Sequence, residues 1–169
     1  ALERNPLLSR AYLIRGIAHL ASKEYQAATR DFRQGLSLSP ADQGMHHNLT
    51  LALLEEKKYQ EADSAAYQML RFAPKSRAAY RFLAQSALER QDNLLAQQRL
   101  GQLLELDSTY SPAYLLRAQI AAARQDYPSS IRDLDYVISR GSASASLYVN
   151  RAIKRYHQND LRGAMEDYS

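Results

Sequence analysis

The sequence has no cysteine, which excludes a disulfide scaffold, a thiolate metal site and a cysteine nucleophile. It has only six glycines and five prolines, so few positions in it break a helix. There is no block of like charges: the net charge of +4 is spread along the chain, which argues against a charged interaction tail. No uninterrupted apolar run approaches the ~18–20 residues of a membrane span, and membrane insertion is not expected. Catalytic signatures are absent too. There is no glycine-rich phosphate loop, no Gly-x-Ser-x-Gly and no His-Glu-x-x-His. The four histidines are His19, His46, His47 and His157. His46 and His47 are adjacent and would point in different directions on a helix, so they cannot share a metal. His19 falls in a row that would face a partner helix. An enzyme is therefore not expected, and neither is a metal or a cofactor. The first residue is Ala1, not Met, so the lack of a targeting signal carries no weight. The compartment, cytoplasmic or periplasmic, stays open.

What is present is a helix-forming composition. Of the 169 residues, 46% are hydrophobic and 24% charged, enough to bury a core, and the helix formers Ala, Leu, Arg and Gln are abundant. The order of these residues repeats. Ala28, Ala62, Ala96, Ser130 and Ala164 are each 34 residues apart. Tyr12, His46, Tyr80, Tyr114 and Tyr148 keep the same step, and so do Gly16, Thr50, Ala84, Ala118 and Ala152. Tyr25, Tyr59, Asn93, Tyr127 and Leu161 form a further row, and Pro6, Pro40 and Pro74 are continued by Ser108 and Ser142. A fixed period of this length means a stacked array of supersecondary units.

Each unit reads as two amphipathic helices. In the first they are Ser9 to Ser22 and Tyr25 to Leu38, with Pro40 closing the unit because proline cannot continue a helix. The small rows at Gly16 and Ala28 let neighbouring helices approach closely. Phe32, Leu100, Leu134 and Tyr168 fill the space beside them; Ala66 holds that place in the second unit, so its gap must be filled from elsewhere. Pro128 falls at a helix start, where proline is tolerated.

With Tyr12, Gly16, Tyr25, Ala28, Phe32 and Pro40 as its first-unit signature, the pattern resembles the tetratricopeptide repeat over the entire chain. The pentatricopeptide repeat of RNA readers is one residue longer and would lose this register. The resemblance implies an all-α fold, an α-solenoid wound as a right-handed superhelix. The expected organisation is a tail of a preceding repeat at 1–8, then repeats at 9–42, 43–76, 77–110, 111–144 and 145–169, the last truncated in its second helix. Neither end carries a polar capping helix, so the array is expected to continue in both directions, and the exposed ends are expected to stack on other copies.

Two sets of residues stand out within the repeats. Arg15, Arg117 and Arg151 occur where the other units have Leu49 and Leu83. The arginine units carry Asp31, Asp133 and Asp167 sixteen residues later, where the leucine units have Ala65 and Arg99. This association predicts an Arg–Asp pair linking the two helices of a unit, holding register more than adding net stability. The second set is the inner wall that the family's curvature implies. On it would lie Arg10, Leu13, Ile17 and Leu20, then Gly44, His47, Leu51 and Leu54, then Ala78, Arg81, Gln85 and Leu88. The row continues through Pro112, Leu115, Gln119 and Ala122 to Ser146, Val149, Ile153 and Tyr156. Spacings of three and four put each set on one helical face. Such a groove suits an amphipathic helix or an extended segment with spaced apolar anchors.

The expected function is protein–protein interaction, as a scaffold or adaptor that takes a peptide or helix in the groove. A structural segment of a bacterial envelope assembly is the alternative within the same class. Chaperone-binding members of the family grip a C-terminal carboxylate with lysine, asparagine and arginine; here those places hold Leu13, Ile17, Asn48, Ala78 and Phe82, so that activity is not expected. RNA binding is the weakest reading, because the tyrosines recur at the repeat step and a dispersed charge releases few counterions.

Overall fold

The structure is a computed structural model that describes residues 6–141 and 144–168. Among the described residues there are ten α-helices and no strand. They are α1 (Pro6–Ala21), α2 (Tyr25–Leu38), α3 (Gln43–Glu55), α4 (Tyr59–Phe72), α5 (Arg77–Glu89), α6 (Asn93–Leu106), α7 (Ser111–Ala123), α8 (Tyr127–Ser139), α9 (Ala145–His157) and α10 (Leu161–Tyr168). Consecutive helices pack as pairs: α1 on α2, α3 on α4, α7 on α8 and α9 on α10.

α1 begins at Pro6, three residues before the expected Ser9. Proline suits the first turn of a helix, since it has no N–H to leave unpaired there. Residues 6–8 thus belong to α1 and not to the tail of a preceding helix. Residues 1–5 of that expected tail lie outside the described residues, as does Ser142 of the proline row.

A feature unremarked in the sequence explains the sharp turn inside each pair. Lys23, Lys57, Gln91, Gln125 and Asn159 all have φ near +60°, and they too are 34 residues apart. Each ends its first helix in the left-handed cap. Lys23 N–H donates to Leu20 O (3.0 Å) and Glu24 N–H to His19 O (2.8 Å), and the same two bonds recur in every pair. These bonds satisfy carbonyls that the helix end would leave orphaned. Asp42, Ser76 and Asp126 cap the starts of α3, α5 and α8, each accepting from a backbone N–H three residues on.

The chain forms two compact bodies, Ala1–Asp92 and Asn93–Ser169, divided between the two helices of the third repeat. In the N-terminal body one core cluster joins α2 to α5 through Phe32, Leu53, Met69 and Phe82. A Cβ on Gly16 would stand 2.5 Å from the Phe32 ring, so the glycine is what admits that ring between α1 and α2. In the second repeat, where Ala66 replaces the large residue, the same buried cluster also takes in Phe82 from α5. In the C-terminal body Leu103, Ile120, Leu134 and Val137 are buried. There Ser130 Oγ donates to Ala118 O (2.9 Å), bonding α8 to α7.

Candidate interaction surface

The sixteen-residue spacing brings each Arg–Asp pair together. Arg15 Nε and Nη2 donate to the two oxygens of Asp31, both at 2.7 Å. Arg117 does the same to Asp133 at 2.8 and 2.6 Å. Arg151 donates from Nε to Asp167 at 3.0 Å and again from Nη2. Such bidentate forks are the strong form of the interaction. The Arg15 hydrogen bonds hold the Asp31 carboxyl below its ordinary range against the opposing effect of burial. Each arginine also lies over the tyrosine three residues earlier: Tyr12 (5.4 Å), Tyr114 (4.9 Å) and Tyr148 (5.3 Å). The guanidinium is engaged at its edge and its face within the chain. In the second repeat the same space is taken by Leu49 and Ala65, both buried.

The three pairs are not equivalent. The arginine side chain is 62% exposed at Arg15, 44% at Arg117 and 13% at Arg151. Arg151 also reaches Asp135 of the preceding repeat (2.6 Å), while Arg155 forms an ion pair with Asp167 (3.1 Å) and donates to Gly163 O (3.1 Å). This network across three helices is not legible in the repeat pattern: Asp135 has no acidic counterpart in the other arginine repeats, and the place of Arg155 is held in the first by His19, whose Nε2 lies 3.8 Å from Asp31.

The wall residues divide into three groups. Leu54 is 6% exposed and lies in the core cluster with Phe82, so it is not on the wall. Leu13, Leu20 and Leu51 pack against the same cluster and are half-buried. The reason is that α3 touches α1 and α5 as well as its own partner, so this row faces the next first helix as much as solvent. His47 meets the Phe82 ring edge-on at 4.9 Å, and burial, helped by Arg81, pushes its pKa below the ordinary histidine value. Arg81 lies over that ring (4.4 Å) and contacts Gln85 (3.4 Å). Leu88 and Leu115 are half-buried. Arg10, Ile17, Gln119, Val149, Ile153 and Tyr156 are exposed, Ile17 at 46% and Tyr156 at 64%. Val149, Ile153 and Tyr156 share one face of α9. Ile14 is also exposed and lies outside the row that the spacing marks.

The histidines are spent on local contacts. His19 Nδ1 meets Glu24 at 2.5 Å, and its other nitrogen is 3.8 Å from Asp31. His46 bonds Pro40 O at 2.8 Å. Among the described residues no group of three histidine or acidic side chains is placed to hold a metal ion, and no helix is long and apolar enough to cross a membrane.

No protein-family model matches the chain, and no curated protein matches its sequence. Solved structures do match. A tetratricopeptide repeat protein from Parabacteroides merdae is 22% identical with a TM-score of 0.79, over 96% of this chain and 64% of that one. The fold is that of the tetratricopeptide repeat. The α-solenoid class expected from the period is thus the class observed. The same fold relates the chain to the APC/C hetero-tetramer Cut9–Hcn1, at 17% identity and TM-score 0.85, over 98% of this chain and 33% of that one. YrrB, a tetratricopeptide protein with an unusual peptide-binding site, is 15% identical with a TM-score of 0.63, over 92% and 80%.

Proposed function

We propose that the chain is a protein-interaction module, and that a partner peptide or helix docks on an exposed apolar face of its first helices. The observation that carries this reading is the apolar stripe of Val149, Ile153 and Tyr156 on one face of α9, exposed together. Ile17 is its counterpart on α1. A contiguous exposed apolar face is the usual mark of an interaction site, and residues at i, i+4 and i+7 present anchors at the pitch of a bound helix or strand. The tetratricopeptide fold supports the same class, since YrrB carries a peptide-binding site and Cut9 is found assembled with Hcn1.

The test is affinity capture with the wild-type chain beside an Ile17→Asp, Ile153→Asp variant. Both positions are exposed, so the variant keeps its core, whereas aspartate at Leu13 or Leu51 would disturb the cluster they pack on. A protein retained by the wild type and lost by the variant supports the reading; indifference to the substitutions sinks it. The proposal extends to association between copies through Ile14 on α1 and Leu161 and Tyr168 on α10, all exposed. A mass that stays monomeric by light scattering at rising concentration overturns that extension.

A further inference from the structure

The open space between α7, α8 and α9 has a counterpart 68 residues earlier that is filled. In the N-terminal body the junction of α3, α4 and α5 is closed by Phe82, and Ala79 and Ser86 flank it on α5, all three buried. The equivalent residues of α9 are Asn150, Leu147 and Lys154. Leu147 and Lys154 are larger than Ala79 and Ser86 and stay only half-buried. Asn150 is exposed and supplies no ring. On α7, Ala122 stands where Leu54 is buried. The result is a cavity of about 240 Å³ between the three helices.

The lining states what the cavity can take. Its walls are the methyl and isobutyl groups of Leu115, Ala118, Ala122, Leu134 and Leu147, together with Ser130, whose hydroxyl is already spent on Ala118 O. Exposed Gln119 and Asn150 stand at its mouth. The volume is below the roughly 300–1,000 Å³ of small-molecule pockets, yet an apolar cavity of about 150 Å³ already accepts benzene. One aromatic side chain therefore fits where a metabolite does not. The repeat supplies the same answer, because a benzyl group occupies the equivalent place in the N-terminal body. Lys154 lines the cavity and forms no ion pair among the described residues, so its ammonium favours a carboxylate beside the entering ring.

We propose that the cavity between α7, α8 and α9 is an anchor pocket for one aromatic side chain of an acidic partner peptide. The proposal rests on the interaction-module reading and places one contact within it.

An NMR titration with acetyl-Glu-Phe-Glu-amide, beside acetyl-Glu-Ala-Glu-amide, tests it. The phenylalanine peptide is expected to shift the methyl signals of Leu115, Leu134 and Leu147, and to bind about tenfold or more tighter than the alanine peptide. Asn150→Phe fills the cavity from within; it should raise the melting temperature and abolish those shifts. Ala122→Leu is the second filling variant should the first misfold. Lys154→Gln should weaken the acidic peptide about threefold and leave acetyl-Gln-Phe-Gln-amide unaffected. Equal binding of the two acidic peptides, or binding undiminished in a filled variant, overturns the pocket. Shifts at Ile17, Val149 and Ile153 with none at the cavity overturn the pocket alone and leave the module reading intact. That reading fails separately, in the capture experiment.

Discussion

In the N-terminal body, Phe82 enters the junction of α3, α4 and α5, and the residues around it are buried. In the C-terminal body, the same positions at α7, α8 and α9 leave about 240 Å³ unfilled. Both junctions obey the 34-residue register, and both have a small residue at each close approach: Thr50 and Ala62 in one, Ala118 and Ser130 in the other. The difference lies in a few side-chain volumes. The period places helices against one another, and the choice at Phe82 or Asn150 decides whether the contact is a core or a cleft. Interiors are packed nearly as tightly as crystals, so a single misplaced side chain is not averaged away.

The most severe way to break this comparison is to empty the closed junction. Phe82→Ala is expected to cost about 3–5 kcal/mol, whereas Asn150→Ala, at an exposed site, should stay within about 0.5 kcal/mol. Urea unfolding followed by hydrogen exchange of the α3–α5 amides measures both, and equal losses would erase the distinction. The ionic network gives the next contrast. Arg151→Leu removes a nearly buried arginine that bridges Asp135 and Asp167 and should cost about 3 kcal/mol. Arg15→Leu, at the most exposed of the three pairs, should cost clearly less. A reversed order in thermal melts would mean that exposure does not grade these pairs.

Gly16→Ala is smaller in effect and tests the close approach of α1 and α2. It should destabilise the N-terminal body by about 1–3 kcal/mol through its clash with Phe32, and Phe32→Leu in the same chain should restore much of the loss. The smallest expected effect is on pH. The folded chain holds His47 below its ordinary pKa of 6.5, so the unfolded chain takes up the proton first as pH falls. The stability that neutral His47 provides is intact above that value and is lost as pH drops toward the folded pKa. Melting temperatures of wild type and His47→Gln should therefore diverge below about pH 6.5. Parallel curves would show that Phe82 does not shield the ring.

Much of this organisation is legible in the sequence, and the reason is that a repeat states its own rules five times. The Arg15–Asp31 association could be read because the other repeats show its alternative, Leu49 with Ala65. The wall was less legible. Its i, i+3 and i+4 spacing identifies a helical face, but not how far the neighbouring helix covers it, so Leu54 shares the spacing of the wall and yet belongs to the core. The left-handed turn residues carried no signal by type, being Lys, Lys, Gln, Gln and Asn where glycine would have announced them. Asp135 is the one acidic residue at its repeat position, and Arg155 shares its place with His19 and not with a second arginine, so neither forms a row that the period displays.

The sequence alone determined the helical class, the period and the partners within each pair, because these depend on local preference and on the spacing of small and large residues. Only the tertiary structure decided which apolar residues are core and which are surface, and which junction is filled. Those outcomes depend on the distance between helices, and that distance is set by all the side chains in the contact at once.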